Sequence, residues 1–364
     1  MLSKFAAVAL AATLVSAQTH TLCDPTKEDC PNPRALGAKG IDHDFRTGKT
    51  DFLNDLAGTY TTYDKDQGAL YTIKEMGNAP TTQSGPYIFF GQLDVEVRVA
   101  PGAGIVTSVV LQSDDLDEID WEWVGSDHTR VQTNYFSKGC IASYDRGGYA
   151  PVADAQDRFH TYTIKWTPTQ LDWIIDGAVV RTLKNEGLSG CAGYPQSPMQ
   201  VKLGSWIAGN PKASPGTIEW AGGLADMSKG PFVAAYRSIK VTDFMGGAKA
   251  ATEYVYTDRS GSWESIKVVN NGKTEIGGGS SSSGNSTSTK PTGSKTQTTL
   301  VPTTSATAAA TDSAPSSDAT GDAAGSGSGS STTTGAGAVP TGAAGKVSLN
   351  LFAMGAAALG YLVL

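Results

Sequence analysis

Apolar and polar residues alternate with period two along many short segments of this chain, which is the pattern of strands that bury one face. In the segment 89–99, the residues at 93, 95, 97 and 99 are apolar, whereas those at 94, 96 and 98 are charged. Asp176-Gly177 separates two apolar runs and predicts a type I′ hairpin, in which both central residues need a positive φ. Further strands are expected at 41–45, 71–74, 105–112, 128–136, 160–166, 171–175, 178–181, 199–206 and 237–244, followed by a last packed segment at 254–269. Evenly spaced strands without a helical stretch predict an all-β sandwich.

The segment 118–123 has the strictest alternation, because an acid stands at every even position. These acids are Glu118, Asp120 and Glu122, called here the carboxylate trio, and they share one face of the expected strand. The residues between them are Ile119, Trp121 and Trp123, which are expected to point into the core. Three like charges on one strand face are unfavourable unless the protein uses them.

The spacing of the two glutamates indicates one such use. At about 3.3 Å per residue, the Cα atoms of Glu118 and Glu122 lie about 13 Å apart on a strand. If each side chain leans toward the other, the carboxyl groups come to about 5 Å, the separation found in retaining glycosidases. The alternatives are an exposed acidic face, or a Ca²⁺ site that also uses Asp114, Asp115 and Asp117. No metal site is predicted, because an Asp-x-Asp-x-Asp-Gly loop is lacking and the flanking tryptophans demand burial.

Three motifs resemble those of a known family. Glu-Ile-Asp-Trp-Glu at 118–122 resembles the Glu-x-Asp-x-Glu signature of glycoside hydrolase family 16. Together with the segments 131–136 and 216–223, it resembles the fungal Crh family of chitin–glucan transglycosylases over most of residues 20–270. The resemblance implies a lectin-like β-jelly-roll with a sugar-binding cleft on its concave face, and no cofactor. It also implies that Glu118 is the nucleophile, Glu122 the general acid and base, and Asp120 the support of the nucleophile.

Four further residues are expected to bind the sugar chain. Gln132 and Asn134 share a face of the strand after the trio, and the resemblance favours them over ordinary polar positions at a sheet edge. Trp206 and Trp220 stand in glycine-rich contexts that look like loops, where an indole can stack on the C–H face of a pyranose. The resemblance places Trp220 on the acceptor side. The four histidines are scattered and are interpreted as structural.

The N-terminal part of the chain indicates secretion. Residues 1–17 contain a lysine, an apolar stretch and small residues before position 18, as in a signal peptide. The four cysteines, Cys23, Cys30, Cys140 and Cys191, then predict two disulfides, for which the sequence allows three connectivities. A local Cys23–Cys30 pair is the simplest, and it leaves Cys140–Cys191 as a long-range pair. The folded domain is expected at 18–277.

The C-terminal part changes composition abruptly at Gly277. Residues 278–335 are rich in Ser, Thr, Gly, Ala and Pro, which predicts a disordered O-glycosylated stalk, and Asn285 stands in its one N-glycosylation sequon. Small residues near Gly335, a spacer and an apolar tail then resemble a glycosylphosphatidylinositol (GPI) attachment signal, with Gly335 as the attachment site and 336–364 removed. The alternative is a transmembrane helix, but eighteen residues interrupted by Asn350 are marginal for a span.

Charge and motif together set the expected partners. The net charge of −7 without a basic block argues against nucleic acid as a partner. We expect a secreted monomer, GPI-anchored at the outer face of the plasma membrane and in the cell wall, that acts on chitin and β-glucan. The partition of its glycosyl-enzyme between water and a second sugar chain is not recorded in a motif, so a hydrolytic β-1,3-glucanase or chitinase stays open. A non-catalytic lectin is the other alternative, although a lectin has no need of the full trio.

Overall fold

Strands with alternating apolar and polar residues pair into two large antiparallel sheets that pack face to face, as expected for an all-β jelly-roll sandwich. The computed structural model describes residues 21–56, 61–142 and 146–276, without the side chains of 274–276. The predicted signal peptide, the predicted stalk with Asn285, and the predicted attachment signal with Gly335 therefore lie outside the described residues.

Eighteen strands occur in the described ranges. Their bounds are β1 Ile41–Asp44, β2 Leu53–Asp55, β3 Thr61–Asp64, β4 Gly68–Ile73, β5 Thr81–Ser84, β6 Gly91–Arg98, β7 Ile105–Ser113, β8 Glu118–Val124, β9 Arg130–Phe136, β10 Gly148–Pro151, β11 His160–Trp166, β12 Gln170–Ile175, β13 Ala178–Lys184, β14 Met199–Ile207, β15 Phe232–Asp243, β16 Glu253–Tyr256, β17 Ile266–Asn270 and β18 Lys273–Ile276. The front sheet has the order β10-β9-β8-β7-β14-β5-β2. The back sheet has the order β13-β12-β11-β6-β15-β4-β3, and β1 also pairs with β15. A third, three-stranded sheet has the order β16-β17-β18.

The core between the front and back sheets is built mainly from aromatic and branched side chains. Trp121 and Trp123 of β8 are fully buried and pack edge-on against Tyr162 of β11, with ring centroids 5.4 and 4.5 Å apart. Polar groups also cross between the sheets. The Tyr236 hydroxyl donates to the carbonyls of Ser108 and Gly204, at 2.9 and 2.8 Å, and so fixes the back sheet against two strands of the front sheet.

The hairpin between β12 and β13 confirms the predicted turn. Asp176 and Gly177 have φ values of 48° and 85°, both positive as a type I′ turn requires. Both predicted disulfides, Cys23–Cys30 and Cys140–Cys191, are present.

The expectation of no helical stretch was wrong in two places. Helix α1 spans Pro215–Trp220 and helix α2 spans Phe244–Lys249. Ser214 caps α1 by accepting from the Thr217 amide, and Pro215 occupies the first turn. This Ser-Pro start is a recognised helix signal, because proline lacks only a donor that the first turn leaves unpaired anyway. Within the described ranges no helix is long and apolar enough to cross a membrane.

Candidate active site

Strand β8 places the carboxylate trio on the outer face of the front sheet. Its alternate residues Ile119, Trp121 and Trp123 belong to the core cluster, so the acids between them point the other way. Glu118, Asp120 and Glu122 are nevertheless only 1%, 2% and 4% exposed. The Trp173 indole donates to the Asp120 carbonyl at 3.0 Å and so fixes the middle of the strand from the back sheet. Burial of three carboxyl groups side by side is costly and indicates a function.

The strand register determines which side chains adjoin the trio. On β9, Asn134 lies directly opposite Asp120, and Gln132 lies directly opposite Glu122. On the other side, Gln112 of β7 lies opposite Glu118. The sequence therefore placed Gln132 and Asn134 correctly beside the trio. The Asn134 Oδ1 atom accepts from the Tyr135 amide at 2.9 Å, and this fixes the orientation of its side-chain amide.

The charges within the trio are coupled. Burial, and then the charge of Glu118, raises the pKa of Glu122 well above its ordinary value. Burial, the charges of Glu118 and Glu122, and a hydrogen bond with Glu118 likewise raise the pKa of Asp120. The surroundings of both groups therefore favour their protonated forms. The sequence led us to expect ionised neighbours around a protonated Glu122, whereas the surroundings of Asp120 raise its pKa as well, and in its protonated form Asp120 donates a hydrogen bond to Glu118.

Glu118 also has a donor on the neighbouring strand. Gln112 Nε2 donates to Glu118 Oε2 at 2.8 Å. The carbonyl oxygen of the same amide, Gln112 Oε1, accepts from Lys202 Nζ on β14. Gln112 and Lys202 were not predicted from the sequence. A periodic pattern that could have indicated Lys202 is present in β14, where apolar or small residues on the core side alternate with Gln200, Lys202, Gly204 and Trp206.

Trp206 and Trp220 form an aromatic wall near the Glu122 end of the site. Trp206 and Trp220 are half-buried and stack with ring centroids 6.1 Å apart and an interplanar angle of 27°. Trp220 Nε1 donates to Gln132 Oε1 at 2.8 Å. This hydrogen bond links the wall to the residue that lies directly opposite Glu122 on β9. The loop context inferred for these tryptophans was wrong, whereas the strand expected at 199–206, which includes Trp206, is confirmed. Trp206 lies on β14, and Trp220 is the last residue of α1.

The outer strand of the front sheet extends this surface. Tyr149 of β10 pairs with Gln132 and therefore faces the same side of the sheet. Tyr149 is 44% exposed, and the Arg130 guanidinium lies 4.1 Å from the centroid of its ring. Tyr149 was not predicted from the sequence.

The aspartates before the trio, Asp114, Asp115 and Asp117, bind other side chains of the protein. Asp115 and Asp117 lie 3.0 and 2.6 Å from the Lys138 ammonium group, and both accept from the Ser197 hydroxyl at 2.5 Å. Asp114 accepts from the Tyr87 hydroxyl at 2.9 Å. These contacts assign the aspartates to the support of the β7–β8 turn. In the part of the chain that the structure describes, no group of three or more His, Cys, Asp and Glu is arranged to hold a metal ion.

Comparison with known proteins identifies the family. Residues 49–222 match the family model of glycosyl hydrolases family 16. Crh-like protein 5 of Aspergillus fumigatus is 47% identical over 270 residues, which cover 73% of this chain and 67% of that protein. Crh-like protein 1 of the same fungus is 43% identical over 283 residues, which cover 78% of this chain and 75% of that protein. Crh-like protein 2 of Botryotinia fuckeliana is 47% identical over 264 residues, but only 57% of its length is covered.

A solved structure extends the likeness to the fold. The structure described as "Crh5 transglycosylase in complex with NAG" superposes with a TM-score of 0.64 and 46% sequence identity. The match covers 68% of this chain and 100% of that one. The chain belongs to the Crh-like proteins of glycosyl hydrolases family 16.

Proposed function

We propose that this protein is a retaining transglycosylase of the fungal cell wall. Glu118 attacks the anomeric carbon of a β-linked sugar chain, and a C–O ester bond forms while the bond to the leaving oxygen breaks. Glu122 gives its proton to that leaving oxygen. In the second step an acceptor hydroxyl attacks the same carbon, its proton returns to Glu122, and the Glu118 carboxylate is released.

The observation on which the proposal rests is the unequal environment of the two glutamates. Glu118 accepts hydrogen bonds from Gln112 and Asp120, which favour its ionised, nucleophilic form. Glu122 is buried beside that charge, which raises its pKa and favours the protonated form that a general acid needs. A lectin would gain nothing from burying a protonated acid next to an ionised one.

Chitin is the proposed donor, and β-glucan or chitin the acceptor. The donor is supported by the likeness to a transglycosylase solved with NAG, since N-acetylglucosamine is the repeating unit of chitin. Transfer is supported by the wall formed by Trp206 and Trp220 beside Glu122. A pyranose stacked there would place an acceptor hydroxyl near the base and displace water from it. Gln132 and Asn134 are proposed to bind sugar hydroxyls.

The proposed organisation outside the site follows the sequence. Residues 1–17 are removed on secretion, 18–277 form the enzymatic domain, and 278–335 form a glycosylated stalk that includes Asn285. Residues 336–364 are replaced by a GPI anchor at Gly335, which holds a monomer at the plasma membrane and cell wall. Small residues before an apolar tail support the anchor, and the two disulfides suit an oxidising compartment.

Product analysis tests the proposal. The protein is incubated with chitin oligosaccharide as donor and, in separate reactions, fluorescent β-1,3-glucan, β-1,6-glucan and chitin oligosaccharides as acceptors. We expect labelled hybrid products longer than each accepted oligosaccharide, and none with Glu118→Gln. Shortened donor chains without labelled hybrids would identify a hydrolase. Cleavage of β-1,3-glucan but not of chitin would identify a glucanase, and binding without cleavage a lectin.

A further inference from the structure

Lys202 and Gln112 form a relay that ends on the proposed nucleophile. Three adjacent strands of the front sheet supply its members, Lys202 from β14, Gln112 from β7 and Glu118 from β8. The Lys202 ammonium group donates to Gln112 Oε1, and Gln112 Nε2 donates to Glu118 Oε2 at 2.8 Å. Gln112 is 8% exposed, so its amide must be satisfied mainly by these neighbours.

The direction of the relay follows from chemistry. A glutamine amide can be turned either way, with its oxygen or its NH₂ group toward a neighbour. An ammonium group has donors only, so Lys202 requires the oxygen of Gln112 on its side. The NH₂ group must then face Glu118, where it can donate to a carboxylate. Without Lys202, the amide could rotate and bring its oxygen against the carboxylate oxygens.

The position of Lys202 is costly without a charge to balance it. Burial lowers the pKa of its ammonium group, and the negative charges that oppose this effect belong to Glu118 and Asp114. Asp114 already accepts from the Tyr87 hydroxyl at 2.9 Å. Of these two carboxylates, Glu118 is therefore the one that the relay reaches through a directed hydrogen bond.

We propose that Lys202 is a positioning residue that acts through Gln112 to orient Glu118 and to stabilise its carboxylate when that group leaves the sugar. This inference rests on the proposed function. In the glycosyl-enzyme, the Glu118 ester carries no charge and gains little from the ammonium group. When the ester breaks, the charge returns and the interaction is restored, so Lys202 favours the second step.

The test measures the two steps separately in Lys202→Met, which keeps the length of the side chain but removes its donors and charge. With a 2,4-dinitrophenyl glycoside of chitotriose, release of the phenolate reports the first step, and intact-mass measurement reports the fraction of glycosyl-enzyme. We expect the second step to slow by about tenfold, the size of one lost charge-assisted hydrogen bond. The first step should slow less, so the glycosyl-enzyme accumulates on the peptide that contains Glu118. Lys202→Arg, which keeps a donor and the charge, should accumulate less of it.

A double-mutant cycle tests the route through Gln112. If Lys202 acts through Gln112, then Lys202→Met in a Gln112→Leu background should change the second step by less than about twofold. Losses that multiply would overturn the relay, and so would unchanged second-step rates in Lys202→Met. Lys165→Met is the matched control, because Lys165 is exposed on β11 of the back sheet. If the wild type itself forms no glycosyl-enzyme on Glu118, the proposed function fails, whereas a labelled wild type with an unaffected Lys202→Met refutes the relay alone.

Discussion

Glu118 and Glu122 stand four residues apart on one strand, yet their neighbours differ in the form of the carboxyl group that they favour. Glu118 is surrounded by donors from Gln112 and Asp120, whereas Glu122 is buried against the charge of Glu118. Within the described residues, the Glu122 Oε1 atom has no hydrogen-bond partner in the protein. An unpartnered buried oxygen of this kind is suited to meet the leaving oxygen of a substrate.

The different roles of the glutamates predict different losses in two matched variants. Glu118→Gln removes the nucleophile, so turnover of every donor should vanish. Glu122→Gln removes the proton but leaves the nucleophile, so chitin oligosaccharides should react very slowly while a dinitrophenyl glycoside, whose leaving group needs no proton, still forms the glycosyl-enzyme. Mass spectrometry should locate the sugar on the peptide that contains Glu118. A sugar attached to another peptide, or an active Glu118→Gln protein, would contradict the assignment.

The raised pKa of Glu122 also predicts how stability depends on pH. An unfolded glutamic acid loses its proton near pH 4.3, about the ordinary value, whereas folded Glu122 keeps it to higher pH. The folded state thus binds more protons in this window, and its stability falls as pH rises through it. Glu122→Gln mimics the protonated acid and removes this loss.

We therefore expect Glu122→Gln to melt above the wild type at pH 7. The difference should shrink as pH falls below about 4, where both folded and unfolded acids are protonated. Each kcal/mol of relief corresponds to about 2–4 °C in a domain of this size. Glu186→Gln, at an exposed site, is the control and should melt as the wild type does. A lower melting temperature for Glu122→Gln at pH 7 would refute the argument.

Trp220 is predicted to affect the choice of acceptor. Trp220→Phe keeps an aromatic face but removes the N–H that donates to Gln132 Oε1. Gln132 would then lose the contact that fixes its amide beside Glu122. We expect the ratio of transfer to hydrolysis to fall, with release of the donor's leaving group reduced less than about threefold, as for a neutral hydrogen bond. Quantifying labelled hybrids against reducing ends measures the ratio, and an unchanged ratio would remove Trp220 from the acceptor site.

At the residue scale, the sequence predicted which side chains share one face of a single strand, because local periodicity determines this. The shared face of the trio follows from alternation along one strand, whereas Gln132 and Asn134 were assigned to the site only through the family resemblance. Lys202 and Gln112 are 90 positions apart and meet only because β14 pairs with β7 in one register. Such a register between distant strands depends on packing of the whole sheet and is not contained in either segment alone.

At the scale of elements, the turn between β7 and β8 is held by a buried ion cluster. Asp117 accepts from the amides of Lys138 and Gln196, at 2.9 and 2.7 Å, in addition to the Lys138 ammonium group. Burial and the charge of Asp117 raise the pKa of the adjacent Asp115 to about 6. The cluster thus joins the loop after β9 and the segment before β14 to the start of the strand that carries the trio.

Removing the Lys138 ammonium group from this cluster should be strongly destabilising. In Lys138→Met, Asp115 and Asp117 would be left buried without a positive charge, and such a loss costs about 3–5 kcal/mol. Urea denaturation should show the decrease, whereas Lys165→Met should leave the midpoint unchanged. Lys202→Met is expected to act differently, because it should slow the second chemical step, whereas Lys138→Met should lower the free energy of unfolding. A Lys138→Met protein of wild-type stability would mean that these aspartates are balanced by another group.

The strands that were predicted and those that were missed differ in composition. Core strands such as β6 and β8 alternate regularly and were found, whereas β2, β3 and β5 are short and polar, so their pairing depends on neighbours in the sheet. Strand β15 was expected to begin at position 237 but begins at Phe232. Its register shifts between Tyr236 and Ser238, and this irregularity interrupts the alternation, so the first half of the strand was not predicted. Helix α1 was missed although Ser214-Pro215 announces it.

At the scale of the whole molecule, the family match and the folded unit have different limits. The match ends at residue 222, but β15 at Phe232–Asp243 pairs with β6, β4 and β1 and lies inside the back sheet. Tyr236 of β15 also donates to carbonyls of β7 and β14. Farther along the chain, Tyr254 of β16 packs edge-on against Phe89 at 5.4 Å. The described residues after 222, up to 276, are thus part of the folded domain that supports the site.

Two truncations distinguish the folded domain from the C-terminal segments proposed to carry the stalk and the anchor. A chain that ends at residue 277 keeps all eighteen described strands, so we expect a secreted, active enzyme in the culture medium rather than in the membrane fraction. A chain that ends at residue 222 lacks β15 and should not accumulate as folded protein, because the back sheet would lose an interior strand. Activity in the medium, phospholipase release of the full-length protein and resistance to proteolysis measure these outcomes. Retention of the 277-residue chain in the membrane fraction would refute the anchor assignment, and a folded 222-residue chain would refute the domain boundary.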